Sequence, residues 1–366
     1  MKRKSLLIMF ALLTLLLASC GFPGIPSTST QLPQVNVSPT PTALPPVRFP
    51  QDEAAHHDLT EWWYYTGHFN ALMPGGTTHH YGFELVFFQA LRSTFPPVYA
   101  AHFAISDVTR GAFHFDQRRQ TEPDALNPNR TSSGGINVSI NDWSVKGING
   151  LDHLAASMPG YTLRVDLQGL KPATLHNGNG IITFGIGGFS YYYSRTRMAL
   201  AGTLIDHGQP LKVTGEAWMD HQWGNFITLG GGGWDWFSLQ LSDNTEMMIY
   251  LLRGAPGNIT STYIGYIAPD AQEQLLPASS LRVALLSHWK SPVTTANYPS
   301  GWQLDINSPQ LQASLTLQPE LKNQELVVYQ STGNSYWEGA VSIRGRSQGK
   351  SIEGEGYVEL TGYAAS

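Results

Sequence analysis

The chain has 366 residues, a net charge of −5 and only 13% charged side chains, with one cysteine. A sparsely charged, acidic chain with no Lys/Arg cluster beyond residue 4 is not a nucleic-acid binder, because phosphate neutralisation needs clustered cations. A single cysteine excludes an intramolecular disulfide, so stability must come from a large core.

In chain order, the cations Lys2, Arg3 and Lys4 precede an uncharged apolar run from Leu6 to Ala18. This reads as a signal peptide, since the run is too short to span a bilayer comfortably. It ends in Leu17-Ala18-Ser19-Cys20, which resembles the lipobox of exported lipoproteins. Cleavage before Cys20 and lipidation of its sulfur would anchor the protein on the extracytoplasmic face. Removal of residues 1–19 takes the formal charge from −5 to −8. Residues 20–46 carry no charged side chain after Cys20 and are rich in Pro, Ser and Thr. Such a segment cannot offset its chain entropy by burial and reads as a linker.

From Val47 onward, period-two segments bounded by Gly, Asn, Asp and Pro replace helical periods. Glu61–Phe69, Tyr81–Phe88, Trp236–Leu241, Glu246–Leu252 and Trp337–Ile343 are expected strands. Trp236–Leu252 reads as a hairpin turning at Ser242–Thr245, with Phe237, Leu239 and Leu241 on one face and Met247, Ile249 and Leu251 opposite. The hairpin opened by Glu61-Trp62-Trp63-Tyr64-Tyr65 is echoed by the one opened by Gly233-Trp234-Asp235-Trp236-Phe237, and each reaches an arginine, Arg92 or Arg253. The pattern predicts an all-β body of two barrels, 47–224 and 225–366.

The chain has no Gly-x-Ser-x-Gly elbow, no His-Glu-x-x-His, no P-loop and no Cys-x-x-Cys. Three aromatic clusters carry ionisable groups. In His56-His57-Asp58 to Glu61-Trp62-Trp63, histidines beside carboxylates suit metal binding or proton movement, or else polar capping of a barrel rim. In Trp218-Met219-Asp220-His221-Gln222-Trp223 and Trp234-Asp235-Trp236, a carboxyl group among tryptophans would be held protonated by desolvation, a competent proton donor. Alternatively His221 and Asp235 bond to each other or to backbone and close a seam. Glu338 and Glu359, in the last two expected strands, either face a pocket or close a barrel. Tyr191 to Arg197 reads as a pocket lining or as a structural network.

Five motifs in order, Glu61-Trp62-Trp63-Tyr64, Trp218 to Gly224, Gly233 to Phe237, Tyr336-Trp337-Glu338-Gly339 and Gly356-Tyr357 to Tyr363, resemble the AttH-type proteins related to carotenoid 1,2-hydratase. The resemblance spans about residues 48 to 364. It implies two tandem lipocalin-like β-barrels with a pocket near their junction. In the hydratases an acid protonates a terminal isoprenoid double bond, and water captures the cation. His221 and Trp223 match the hydratase histidine and tryptophan, and Asp235 best matches the acid, with Gly233 where the hydratases carry tyrosine. Similar double barrels also fold polyenes in pericyclic reactions. The resemblance thus makes Asp235 and His221 the catalytic pair, with Glu61 and Asp220 the next acids. Trp223, Trp234, Trp236, Glu61 and Trp63 shape the substrate site, and no metal or organic cofactor is required. The other reading is a lipocalin-like carrier of a lipid or polyene. An Asp235 held close to His221 in a pocket favours the enzyme, and an Asp235 locked to arginine favours the carrier.

Overall fold

The structure, a computed structural model, describes residues 44–92, 95–121, 134–183, 188–226, 231–254 and 257–364. The expected signal peptide, Cys20 and the linker up to residue 43 lie outside the described residues. Among the described residues, twelve strands form one antiparallel sheet, ten form a second and two form a small hairpin. Among the described residues, helix is confined to three-residue turns such as Gln51–Glu53, and no helix is long and apolar enough to cross a membrane. The fold class is therefore all-β.

Each sheet curls around its own core. The first is centred on strand Thr60–Leu72, flanked by Thr78–Arg92 and Gln209–Gly224, and encloses Trp63, Phe83, Phe103, Trp143 and Trp223. The second is centred on Gly231–Leu241, flanked by Glu246–Gly254 and Lys350–Thr361, and encloses Phe237, Leu239, Trp302 and Trp337. The expected hairpin forms, with Phe237 opposite Ile249 and Leu239 opposite Met247. All four face the second core, as period-two alternation requires.

The outer faces are buried as well. Strand Thr60–Leu72 lies against Lys350–Thr361, Thr78–Arg92 against Ser335–Ser347, and Phe189–Asp206 against Gly231–Leu241. The sheets are also tied by buried charge: Glu246 accepts from Lys171 Nζ at 2.7 Å and from Arg197 Nε at 2.7 Å. Arg195 pairs with Glu53 at 2.6 Å, so the Tyr191–Arg197 stretch supplies a structural network. Close approach across the seam fixes Gly82, where a Cβ would sit 2.5 Å from the Tyr357 hydroxyl and 2.8 Å from the Ala340 methyl. Gly82→Ala is expected to cost about 1–3 kcal/mol, the usual scale for overpacking. Urea-unfolding midpoints check this, and adding Tyr357→Phe should recover part of the loss.

Candidate active site

Alternation along the central strands sorts their aromatic runs onto two faces. From Trp62-Trp63-Tyr64-Tyr65, Trp63 and Tyr65 enter the first core while Trp62 and Tyr64 enter the seam. Met219 and Trp223 face the core and Trp218 the seam. From the second sheet come Trp234, Trp236, Tyr250 and Tyr357. Tyr64 meets Trp236 edge-to-face at 5.3 Å, and Trp218 meets Trp236 at 6.1 Å. These arrangements match the ring quadrupoles and give the seam π faces that can steady a cation.

Four carboxyl groups project into this aromatic layer. The Tyr64 hydroxyl donates to Glu338 Oε1 at 2.6 Å, and the Tyr336 hydroxyl to Glu84 Oε1 at 2.8 Å. Trp234 Nε1 donates to Glu359 Oε2 at 2.8 Å. Asp220 accepts from Trp218 Nε1 and from the Tyr192 hydroxyl, each at 2.6 Å, and from Ser194. Glu338 and Glu359 are direct cross-strand partners, which brings their side chains together. Burial pushes Glu84 up to about 8, with a further push from Glu359 and opposition from the Tyr336 bond. Burial, followed by the charges of Glu84 and Glu359, drives Glu338 well above the carboxylate range. Burial likewise raises Glu359 to about 7, opposed by the Trp234 bond. Of these desolvated carboxyls, Glu84 and Glu338 keep their protons at neutral pH.

The second oxygens of Glu84 and Glu338 are buried and have no hydrogen-bond partner among the described residues. Buried polar atoms are nearly always satisfied; Asp152 Oδ1 and His68 Nε2 are among the few others of the described residues that share this state, and neither belongs to the four seam carboxyls. With Oε1 of Glu338 accepting from Tyr64, the proton of the neutral acid is assigned to Oε2, which meets no acceptor among the described residues. Trp234, Tyr250 and Glu359 are partly exposed, so this end of the seam reaches solvent. A separate cleft of about 420 Å³ includes Lys146, His153 and Arg164 in its lining; none of the candidate residues lines it.

The expected Asp235–His221 pair does not form. Consecutive strand residues face opposite ways, so Asp220, His221 and Asp235 enter three different networks. Asp235 accepts from Arg253 Nε at 3.0 Å and from the Tyr363 hydroxyl at 3.0 Å, and the guanidinium lies 3.9 Å over the Tyr363 ring. Its neighbours Trp234 and Trp236 join the seam instead, where Trp236 Nε1 donates to the Tyr192 hydroxyl at 3.2 Å. His221 faces the first core, stacked on Trp63 at 4.8 Å and packed against Trp223 at 4.5 Å. Its Nε2 lies 2.9 Å from Glu61 Oε1. Burial lowers the His221 imidazole to about 4, against the pull of Glu61. Glu61, Trp63, His221 and Trp223 therefore form one group, and Trp234 and Trp236 another.

Glu84 is an acid that the aromatic motifs do not mark. Its signal lies in Gly82, Glu84, Val86 and Phe88, the outward positions of one strand, where an otherwise apolar face surrounds a single carboxyl. Such a face is buried on both sides of the sheet.

The AttH-like family profile matches residues 40–363. A crystal structure of an AttH-type protein from Nitrosomonas europaea is similar at 28% identity and a TM-score of 0.76, covering 90% of this chain and 99% of that one. Kievitone hydratase from Nectria haematococca shares the fold at 17% identity and a TM-score of 0.69, covering 87% and 93%. CghA, solved with Sch210972, shares it more distantly at 13% identity and a TM-score of 0.53, covering 82% and 88%. No curated protein sequence matches the chain.

Proposed function

Since the chain belongs to the AttH-like family, we propose that it is a hydratase-type enzyme that protonates an isoprenoid or other apolar alkene at the seam between its two sheets. The observation that carries this reading is Glu338, a neutral acid among aromatic rings whose buried Oε2 has no partner among the described residues. The proton on Oε2 passes to one alkene carbon as the π pair forms the new C–H bond. The cation left on the more substituted carbon is steadied by the faces of Trp236 and Tyr64. Water adds to it, and the proton that water loses returns to the Glu338 carboxylate, closing the cycle without metal or organic cofactor. A fold shared with kievitone hydratase is compatible with this chemistry.

The test is incubation of the protein with acyclic isoprenoids and polyenes in ¹⁸O-labelled water. The expected product is heavier than the substrate by one labelled water. Tight binding with no product would instead make the protein a lipocalin-like carrier, a reading favoured by the Asp235–Arg253 pair.

The proposal extends to location. Leu17-Ala18-Ser19-Cys20 at the end of an apolar run supports export and lipid anchoring, which would place the seam where membrane-derived alkenes are available. Cys20→Ala is expected to move the protein from the membrane fraction to the soluble fraction, or to leave the precursor uncut. Unchanged detergent partitioning and processing would count against it.

A further inference from the structure

We propose that His56, Glu61 and His221 form a binding site for a divalent transition-metal ion of the zinc class, separate from the acids of the seam. His56 belongs to the segment before the first strand, Glu61 to strand Thr60–Leu72 and His221 to the paired strand Gln209–Gly224. Pairing of Glu61 with Trp223 and of Trp63 with His221 brings the last two together. His56 Nδ1 lies 2.8 Å and His221 Nε2 2.9 Å from the same oxygen, Glu61 Oε1. One ligand atom from each residue falls within 4.8 Å of the others. Ligands about 2.0–2.1 Å from a tetrahedral zinc stand about 3.3 Å apart, so each His–Glu61 contact must open by about half an ångström while the two imidazole nitrogens, within 4.8 Å of each other, draw together around the ion.

The atoms pointing away from this centre are already held, as in built metal sites. His56 Nε2 faces Asp52 at 3.6 Å, and His221 Nδ1 faces the Tyr193 hydroxyl at 3.3 Å. Glu61 Oε2 accepts from the His56 backbone N–H at 2.8 Å and from Gln89 Nε2 at 3.2 Å. Both imidazole rings are clamped: His56 stacks on Trp223 at 4.2 Å with 2° between planes, and His221 stacks on Trp63. Glu61 and His221 are fully buried, while the His56 side chain is 18% exposed and opens the path to solvent. Two imidazoles and one carboxylate suit zinc, cobalt or iron(II) and not magnesium or calcium, which take oxygen ligands.

The experiment is titration of the chelator-stripped full-length protein with Zn²⁺ and Co²⁺, followed by calorimetry, cobalt absorption and thermal unfolding. One ion per chain, cobalt d–d bands and a zinc-dependent rise in Tm are expected. His56→Ala, at the rim, and the isosteric Glu61→Gln should each weaken binding at least tenfold. The neighbouring exposed His57→Ala should leave it unchanged. Asp52→Asn, which keeps the ligands but alters the hold on His56, should weaken it about 10-fold or more. A wild-type protein that takes up no ion, or a His56→Ala protein that binds as well as wild type, would overturn the site and leave a hydrogen-bonded His–Glu–His chain.

Discussion

Glu338→Gln is expected to lower turnover of an alkene substrate by about two to four orders of magnitude, the scale for loss of a general acid. The amide keeps the size of the carboxyl and can still accept from the Tyr64 hydroxyl that now reaches Oε1 at 2.6 Å. What it lacks is the acidic proton on the oxygen that has no partner among the described residues. The fold should not suffer, because the substitution removes a member of a mutually repelling trio with Glu84 and Glu359. Ligand binding should survive for the same reason, since the surrounding rings are untouched. The measurement is incorporation of labelled water, with circular dichroism and ligand affinity as controls. Full turnover in this variant would move the acid to Glu359 or Glu84. Asp235→Asn is expected to leave chemistry intact and to destabilise instead, because it leaves the Arg253 guanidinium buried without its counter-ion.

The contrast between Glu338 and Asp235 marks how much of the site was legible in the sequence. The all-β class and the hairpin at Ser242–Thr245 were legible because alternation and turn residues are local signals. The aromatic motifs also located the right strands. What they could not reveal was the partner of each side chain, since Tyr64 finds Glu338 across 274 residues of chain. Adjacency in sequence misled as well. Asp220 and His221 stand next to each other, yet the pleat sends one to the seam with Trp218 and the other to the first core with Trp63. Where one face of a sheet is wet, polar residues label it. Here both faces of the central strands are buried, so Trp62-Trp63-Tyr64-Tyr65 carried no label for inside or outside.

The second large effect expected is a fall in stability as the pH rises above about 7. Glu84 and Glu338 keep their protons in the folded seam at a pH where the unfolded chain has released them, the ordinary carboxyl value being 4.5. The folded state therefore binds more protons than the unfolded one, and stability falls with rising pH. For Glu84 this loss begins near pH 4.5 and ends near pH 8. For Glu359 it ends near pH 7. Buried histidines act with the opposite sign: His68 and His102, each lowered to about 3 by burial, and His221, lowered to about 4, add stability as pH rises toward 6.5. Their contribution is complete by about pH 7, and above it His56, whose burial is outweighed by its bonds to Asp52 and Glu61, loses stability in the same direction as the seam carboxyls. Among the tyrosines facing them, Tyr64, Tyr192, Tyr336 and Tyr357 are pushed well above their ordinary value by burial and stay neutral. Asp220, also raised by burial, acts with the same sign. Each titrating carboxyl contributes about 1.4 kcal/mol per pH unit, so Glu84 and Glu338 together set a slope of up to about 3 kcal/mol per unit. Urea midpoints measured between pH 6.5 and 9 should show this fall in the wild-type protein. Glu84→Gln and Glu338→Gln should each flatten it and be more stable than wild type at pH 8.5. A flat wild-type profile would mean that the seam carboxyls are ionised at neutral pH, and an ionised Glu338 cannot protonate an alkene.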